Sequence, residues 1–242
     1  MSLKAVLFDF NGVIIKDESI HLQLIDEILV QENLQPQRVH ERQASLGRSD
    51  RSFFQDLLKN RGRVVTEEYL SQLLQRKAQS YLLELEKLEK LPLYPGVEDL
   101  IFQVRSQNLI LGLVSDALRQ EIEVVLECAK LSPYFKVIVA GDDISTSKPQ
   151  PEGYLLAVER LNQANPDLNL QPQECLVIED TPAGIQAAKR AQMQVVGVAN
   201  TYPFHMLQRQ ANWTVDYLTD LELERVQEIY LQKDVKTAAP EC

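Results

Sequence analysis

The sequence predicts an α/β protein, a Rossmann-like parallel sheet core with an inserted α-helical cap domain, and three observations carry the prediction. Short apolar runs alternate with longer helical patterns, the signature of a parallel sheet covered on both faces. The first, second and fourth runs end in polar residues of types that do chemistry. The first two runs are separated by about a hundred residues, far more than one crossover needs.

The runs are Lys4 to Phe8, Leu109 to Val114, Lys136 to Ala140, Cys175 to Ile178 and Gln194 to Val198. The long gap after the first reads as helical. Ile20 to Leu29 has aliphatic residues at helical spacing, Ser52 to Leu58 continues the pattern, and Glu67 to Leu88 is rich in Leu, Gln, Lys and Glu. Leu91-Pro92-Leu93-Tyr94-Pro95-Gly96 punctuates the return to the sheet. The expected organisation is therefore a core of 1–17 and 92–242 and a cap of 18–91. The tail beyond Lys233 lacks apolar periodicity and is expected to fray.

The composition, 45% hydrophobic and 25% charged over 242 residues, is globular and sufficient for a large core plus a smaller unit. A formal net charge of -10 argues against nucleic acid or an anionic membrane surface as the main partner. A small anionic ligand in a locally positive pocket remains compatible. Cys128, Cys175 and Cys242 are odd in number and widely spaced, which points to neither a disulfide framework nor a zinc site and fits a reducing cytoplasm. No run has membrane-spanning length, and no signal-peptide core precedes the first strand. Oligomeric state is left open.

In an open parallel sheet the residues just past the strands converge on one crevice. The first run delivers Asp9 in Asp9-Phe10-Asn11-Gly12-Val13, the second Ser115-Asp116, and the fourth Glu179-Asp180-Thr181 before a helix start at Ala183-Gly184-Ile185. Lys148-Pro149-Gln150-Pro151 adds a lysine on a rigid turn. Two adjacent carboxylates at a buried strand end repel one another without a cation, and Mg²⁺ prefers such oxygen ligands together with substrate phosphate. Each residue also has a plainer reading. Ser115 serves as a helix cap, Lys148 as a solvated turn lysine, and Glu179 and Asp180 as helix N-terminal acids.

These four motifs, in this order and across nearly the whole chain, resemble the haloacid dehalogenase superfamily, in the branch containing β-phosphoglucomutase and phosphoglycolate-phosphatase-like enzymes. The resemblance implies that Asp9 is a nucleophile forming an aspartyl-phosphate. It implies Mg²⁺ held by Asp9, the Asn11 main-chain carbonyl and Asp180, with Glu179 beside it. Lys148 and Ser115 would hold the phosphoryl oxygens. Arg48 and Arg51, in Leu46-Gly47-Arg48-Ser49-Asp50-Arg51, fall where the family's cap reads substrate, and His21 falls at the hinge.

The departures matter. Asn11 replaces the second Asp of the family's first motif, the residue that exchanges protons with the leaving oxygen, and an amide cannot do this. Asp116 follows Ser115 where a neutral residue is usual, and is expected to point away from phosphate or to pair with a cation such as Arg119. No cap lysine among Lys59, Lys77, Lys87 and Lys90 stands out as a Schiff-base former. The implied function is a Mg²⁺-dependent phosphatase of a small phosphorylated metabolite, a sugar phosphate by preference, slowed or retuned by Asn11. Kept beside it are a phosphometabolite-binding or regulatory protein with little turnover, a β-phosphoglucomutase-like mutase, and conversion of Asn11 by deamidation.

Overall fold

The computed structural model describes residues 2–45 and 47–237. Six parallel strands form one sheet in the order β3-β2-β1-β4-β5-β6. They are β1 (Ala5–Phe8), β2 (Ile110–Val114), β3 (Phe135–Val139), β4 (Cys175–Glu179), β5 (Gln194–Val198) and β6 (Trp213–Val215). The first five match the expected runs within a residue at either end. The sixth is unanticipated: it is a three-residue, half-buried edge strand, too short to show a period.

Strand alternation explains the continuous apolar runs. Val6 and Phe8 of β1 with Leu176 and Ile178 of β4 enter one buried cluster. Ala5, Leu7, Cys175 and Val177 enter another on the opposite face. With helices covering both faces, neither set of side chains can be polar. Phe8 sits in register with Leu113 on one side and Ile178 on the other, so the polar residues following β1, β2 and β4 emerge side by side.

Between β1 and β2 lie α1 (Glu18–Gln31), α2 (Val39–Ser45), α3 (Asp50–Asn60) and α4 (Glu67–Glu86), then α5 (Val97–Ser106) against the sheet. Ser49 and Thr66 cap α3 and α4 by accepting from Ser52 and Tyr69 N–H groups. Helix α2 was not anticipated. Ile25, Leu29, Phe54, Leu58, Leu70 and Leu73 pack as a third cluster within these helices, while Leu24, Tyr81 and Leu85 join the sheet's own cluster. Beyond β2 follow α6 (Arg119–Cys128), α7 (Glu152–Ala164), α8 (Pro182–Arg190), α9 (Phe204–Leu207) and α10 (Leu223–Thr237). Helix α10 continues past Lys233, where fraying was expected, and Tyr230 anchors it by donating to the Cys175 carbonyl at 2.7 Å. Residues 238–242, with Cys242, and Leu46 lie outside the described residues. Cys128 and Cys175 are free thiols. Among the described residues no helix is long and apolar enough to cross a membrane.

Candidate active site

The polar residues at the strand ends share one cleft, with a volume of about 130 Å³, between the sheet and α1–α3. Asp9 directly follows β1 and is 7% exposed. Its Oδ1 lies 2.7 Å from Lys148 Nζ, and the same ammonium lies 2.7 Å from Glu179 Oε1. Lys148 also donates to the Val114 carbonyl at 3.3 Å. Burial works against its charge, but Asp9 and Glu179 outweigh it and hold the ammonium well above the usual lysine range.

Glu179 braces the lysine. Oε1 accepts from Lys148 and from the Tyr154 hydroxyl at 3.0 Å. Oε2 accepts from the backbone N–H groups of Asp180 and Thr181 and from the Thr181 hydroxyl. Thr181 in turn caps α8 by accepting from Gly184 N. A Cβ on Gly184 would meet the Glu179 carboxylate at 1.7–2.2 Å. Gly184→Ala is therefore expected to push Glu179 off Lys148 and Tyr154, costing roughly 1–3 kcal/mol and lowering turnover together with melting temperature. Thermal unfolding beside an activity assay checks this, and unchanged values would show that the Glu179 contacts are dispensable.

Asp180 differs from its neighbours. It is 1% exposed, and its carboxylate oxygens make no hydrogen bond of regular geometry, with the Thr201 hydroxyl as a weak neighbouring donor. Oxygens of Asp9, Glu179 and Asp180 lie within 4.8 Å of one another. Burial, then Glu179, lift Asp9 to about 7 against the opposing pull of Lys148. Burial, then the charges of Glu179 and Asp9, push Asp180 well above the carboxylate range. Three buried carboxylates facing one lysine are under-neutralised, the condition a divalent cation relieves. Gly12, at φ 78°, lets the backbone pass over Asp180, since a Cβ there would fall 1.9 Å from its Oδ2.

The Asn11 side chain faces Asp17 and His21. Its amide donates to Asp17 Oδ1 and Oδ2 at 3.2 and 3.1 Å and lies 3.2 Å from His21 Nε2. Asp17, fully buried, also accepts from the Tyr81 hydroxyl at 2.5 Å and lies 3.1 Å from His21 Nε2. Burial opposes its ionisation, but His21, Tyr81 and Asn11 hold its carboxyl below the usual range. His21 stacks on Tyr81 with ring centroids 4.8 Å apart, and its Nδ1 lies 2.6 Å from Lys77 Nζ. Burial and then Lys77 oppose a charge on His21, but Asp17 and Asp50 outweigh them and hold its titration above the usual imidazole range; in the neutral form Nε2–H toward Asp17 and Nδ1 toward Lys77 satisfy both ring nitrogens.

Two expectations are corrected here. Ser115 Oγ accepts from Ala117 N at 3.0 Å, a turn contact rather than a helix cap; Glu121 fills the cap role by accepting from Leu118 N. Arg119 does not pair with Asp116, because Asp143 and Glu123 engage its guanidinium. Asp116 instead accepts from Lys148 N at 3.3 Å, and burial lifts its carboxyl to about 6. Lys77 is conspicuous by its burial, but not as a Schiff-base former. It is 1% exposed, 2.6 Å from Asp50 Oδ2 and 3.3 Å from Glu121 Oε1, and these acids overcome burial to keep it protonated, unlike a Schiff-base nucleophile.

Arg48 lines the cleft, but its guanidinium bonds Asp56 and the Ser52 carbonyl. Arg51 is not among the cleft residues and pairs with Glu67 and Ser71. Asp17, Tyr154 and Lys77 were missed as site residues. A signal existed for Lys77, a charge on the stripe Leu70, Leu73, Leu74, Ala78, Tyr81 whose other members are buried.

A sequence model of haloacid dehalogenase-like hydrolases matches residues 6–198, and the chain belongs to that family of enzymes. Over 239 residues, 98% of this chain and 100% of the relative, it is 28% identical to beta-phosphoglucomutase of Bacillus subtilis. A 112-residue stretch, 46% of this chain and 42% of the relative, is 34% identical to phosphoglycolate phosphatase of Escherichia coli. Among solved structures, beta-phosphoglucomutase from Clostridium difficile aligns with a TM-score of 0.82 at 27% identity, covering 96% of this chain and 99% of that one.

Proposed function

We propose that the chain is a Mg²⁺-dependent phosphatase of a small phosphorylated metabolite, a sugar phosphate by preference, working through an aspartyl-phosphate on Asp9. The carrying observation is the buried cluster of Asp9, Glu179 and Asp180, whose three carboxylates share the single ammonium of Lys148. The donor set fits a hard cation: Asp9, Asp180 and the Asn11 carbonyl would hold Mg²⁺, which supplies charge neutralisation for the phosphoryl oxygens. The relatives' names, a phosphatase and a phosphomutase, support a phosphoric monoester as substrate.

In this reading an Asp9 carboxylate oxygen attacks phosphorus, the ester oxygen departs with a proton, and water then hydrolyses the acyl phosphate. Lys148, fixed by Glu179 and Tyr154, balances charge on the transferring group. Ser115, next to the Val114 carbonyl that Lys148 contacts, lines the same cleft and would hold a phosphoryl oxygen. Asn11 has no proton to exchange, and beside it His21 is a group that has one. Residues 18–91 serve as a lid over 1–17 and 92–242, tied down by Lys77 to Glu121 and Gln120 to Gln75.

The test is phosphate release from an aryl phosphate with Mg²⁺ and with EDTA. Release that EDTA abolishes supports the reading, and EDTA-resistant release overturns the metal's role. The lock of Asn11 onto Asp17 favours a second reading, a phosphometabolite-binding or regulatory protein, which predicts stabilisation by phosphate ligands without product.

Metal binding should also show in stability. Asp9 and Asp180 have raised folded-state values, so their favourable contribution to the metal-free fold is complete below about 3.8 and is lost as pH rises through about 7 for Asp9. A cation needs both ionised. The gain in melting temperature on adding Mg²⁺ is expected to be larger at pH 8 than at pH 5.5. A gain independent of pH would place the metal elsewhere.

A further inference from the structure

The remainder of the cleft, beyond the carboxylates that face the reacting phosphate, carries a consistent charge. Asp116 from the core and Asp50 and Glu18 from the helical side all line it. Asp116 Oδ1 is shut off from solvent and accepts no hydrogen bond, while its Oδ2 has only the long contact to Lys148 N. A buried carboxylate oxygen without a donor is costly unless a ligand supplies one. The cations are already committed: Lys148 lies between Asp9 and Glu179, and the Arg48 guanidinium is drawn onto Asp56 and the Ser52 carbonyl. Lys77, behind the wall, is held by Asp50 and Glu121.

We infer that this cleft selects phosphomonoesters whose remaining part offers hydrogen-bond donors, hydroxyl or ammonium, to Asp116 and its neighbours, and rejects esters bearing a second phosphate or a carboxylate. The inference rests on the phosphatase reading above and narrows its substrate class. A second anion would have to settle against acids with no uncommitted cation among the described lining residues. A donor group would instead meet the Asp116 carboxylate that lines the cleft. The same wall disfavours a phosphomutase cycle, since moving a phosphoryl group between two hydroxyls of one sugar passes through a bisphosphate.

The experiment compares phosphate release from glucosamine 6-phosphate, glucose 1,6-bisphosphate and phosphoglycolate by the full chain with saturating Mg²⁺, with an aryl phosphate as reference. Like-charge juxtaposition is strongly unfavourable, so kcat/KM for the amino sugar phosphate is expected to exceed that for either competitor with a second anionic group by at least about tenfold. Asp116→Asn, or Asp116→Ser should the first fail to fold, is expected to shrink that ratio several-fold through KM. Equal or better turnover of the bisphosphate or phosphoglycolate overturns the inference while leaving the phosphatase reading intact. If not even the aryl phosphate is hydrolysed, the phosphatase reading fails. The same ligands are then ranked by Mg²⁺-dependent thermal shift, where stabilisation by the amino sugar phosphate above the others supports the charge selection and the reverse order refutes it.

Discussion

Asn11→Asp is expected to raise Mg²⁺-dependent phosphate release by roughly 10²–10⁴-fold, the usual worth of a general acid and base. The surroundings already suit such a group. The Asn11 amide lies 3.1 and 3.2 Å from the two oxygens of buried Asp17, so a carboxyl placed there shares its site with a second carboxylate. Two carboxylates that close cannot both ionise, and the pair retains one proton to near neutral pH. That is the state needed to protonate a leaving oxygen. Steady-state rates from pH 5 to 9 check this, and a gain with a bell-shaped profile is the expected outcome. No gain would mean that another group, with His21 in position, already supplies the proton in the native chain.

Lys148→Met should produce the other large effect, in stability and activity together. The side chain is 9% exposed and joins two buried carboxylates at 2.7 Å each. Removing one partner of a buried ion pair leaves charge uncompensated, and the expected loss is roughly 3 kcal/mol, the lower end of the usual range because Asp9 can take up a proton instead. Loss of charge balance at the transferring phosphate should lower kcat by roughly 10²–10³-fold. Denaturant unfolding with and without Mg²⁺ separates the two. Added metal should restore part of the stability and little of the rate. Full recovery of rate by Mg²⁺ would reduce Lys148 to a structural counter-ion.

The strand ends were legible because burial on both faces of a parallel sheet leaves a nearly unbroken apolar run, after which a carboxylate such as Asp9 or Asp180 is conspicuous. The three-residue β6 and the seven-residue α2 were not, because elements that short show no period. The polar network of Asp17, His21, Tyr81 and Lys77 was hidden for another reason. Asp17 contacts Tyr81 across 64 positions and Lys77 contacts Glu121 across 44, and such pairings have no local signature. The misplaced partner for Asp116 has the same origin: Arg119 is near in sequence, but β3 brings Asp143 closer in space.

Residue order and type alone determined the sheet, the helical insertion and the identity of the groups at the strand ends, since those follow from apolar periodicity and from where it stops. Packing decided which of those groups face one another. It drew Arg48 onto Asp56 of α3 and Arg51 onto Glu67 of α4, turned Asn11 onto Asp17, buried Lys77, and left Asp116 Oδ1 without a donor. The physical reason is that a charge in a folded protein takes its partner from distance and burial, and neither quantity is local in the chain.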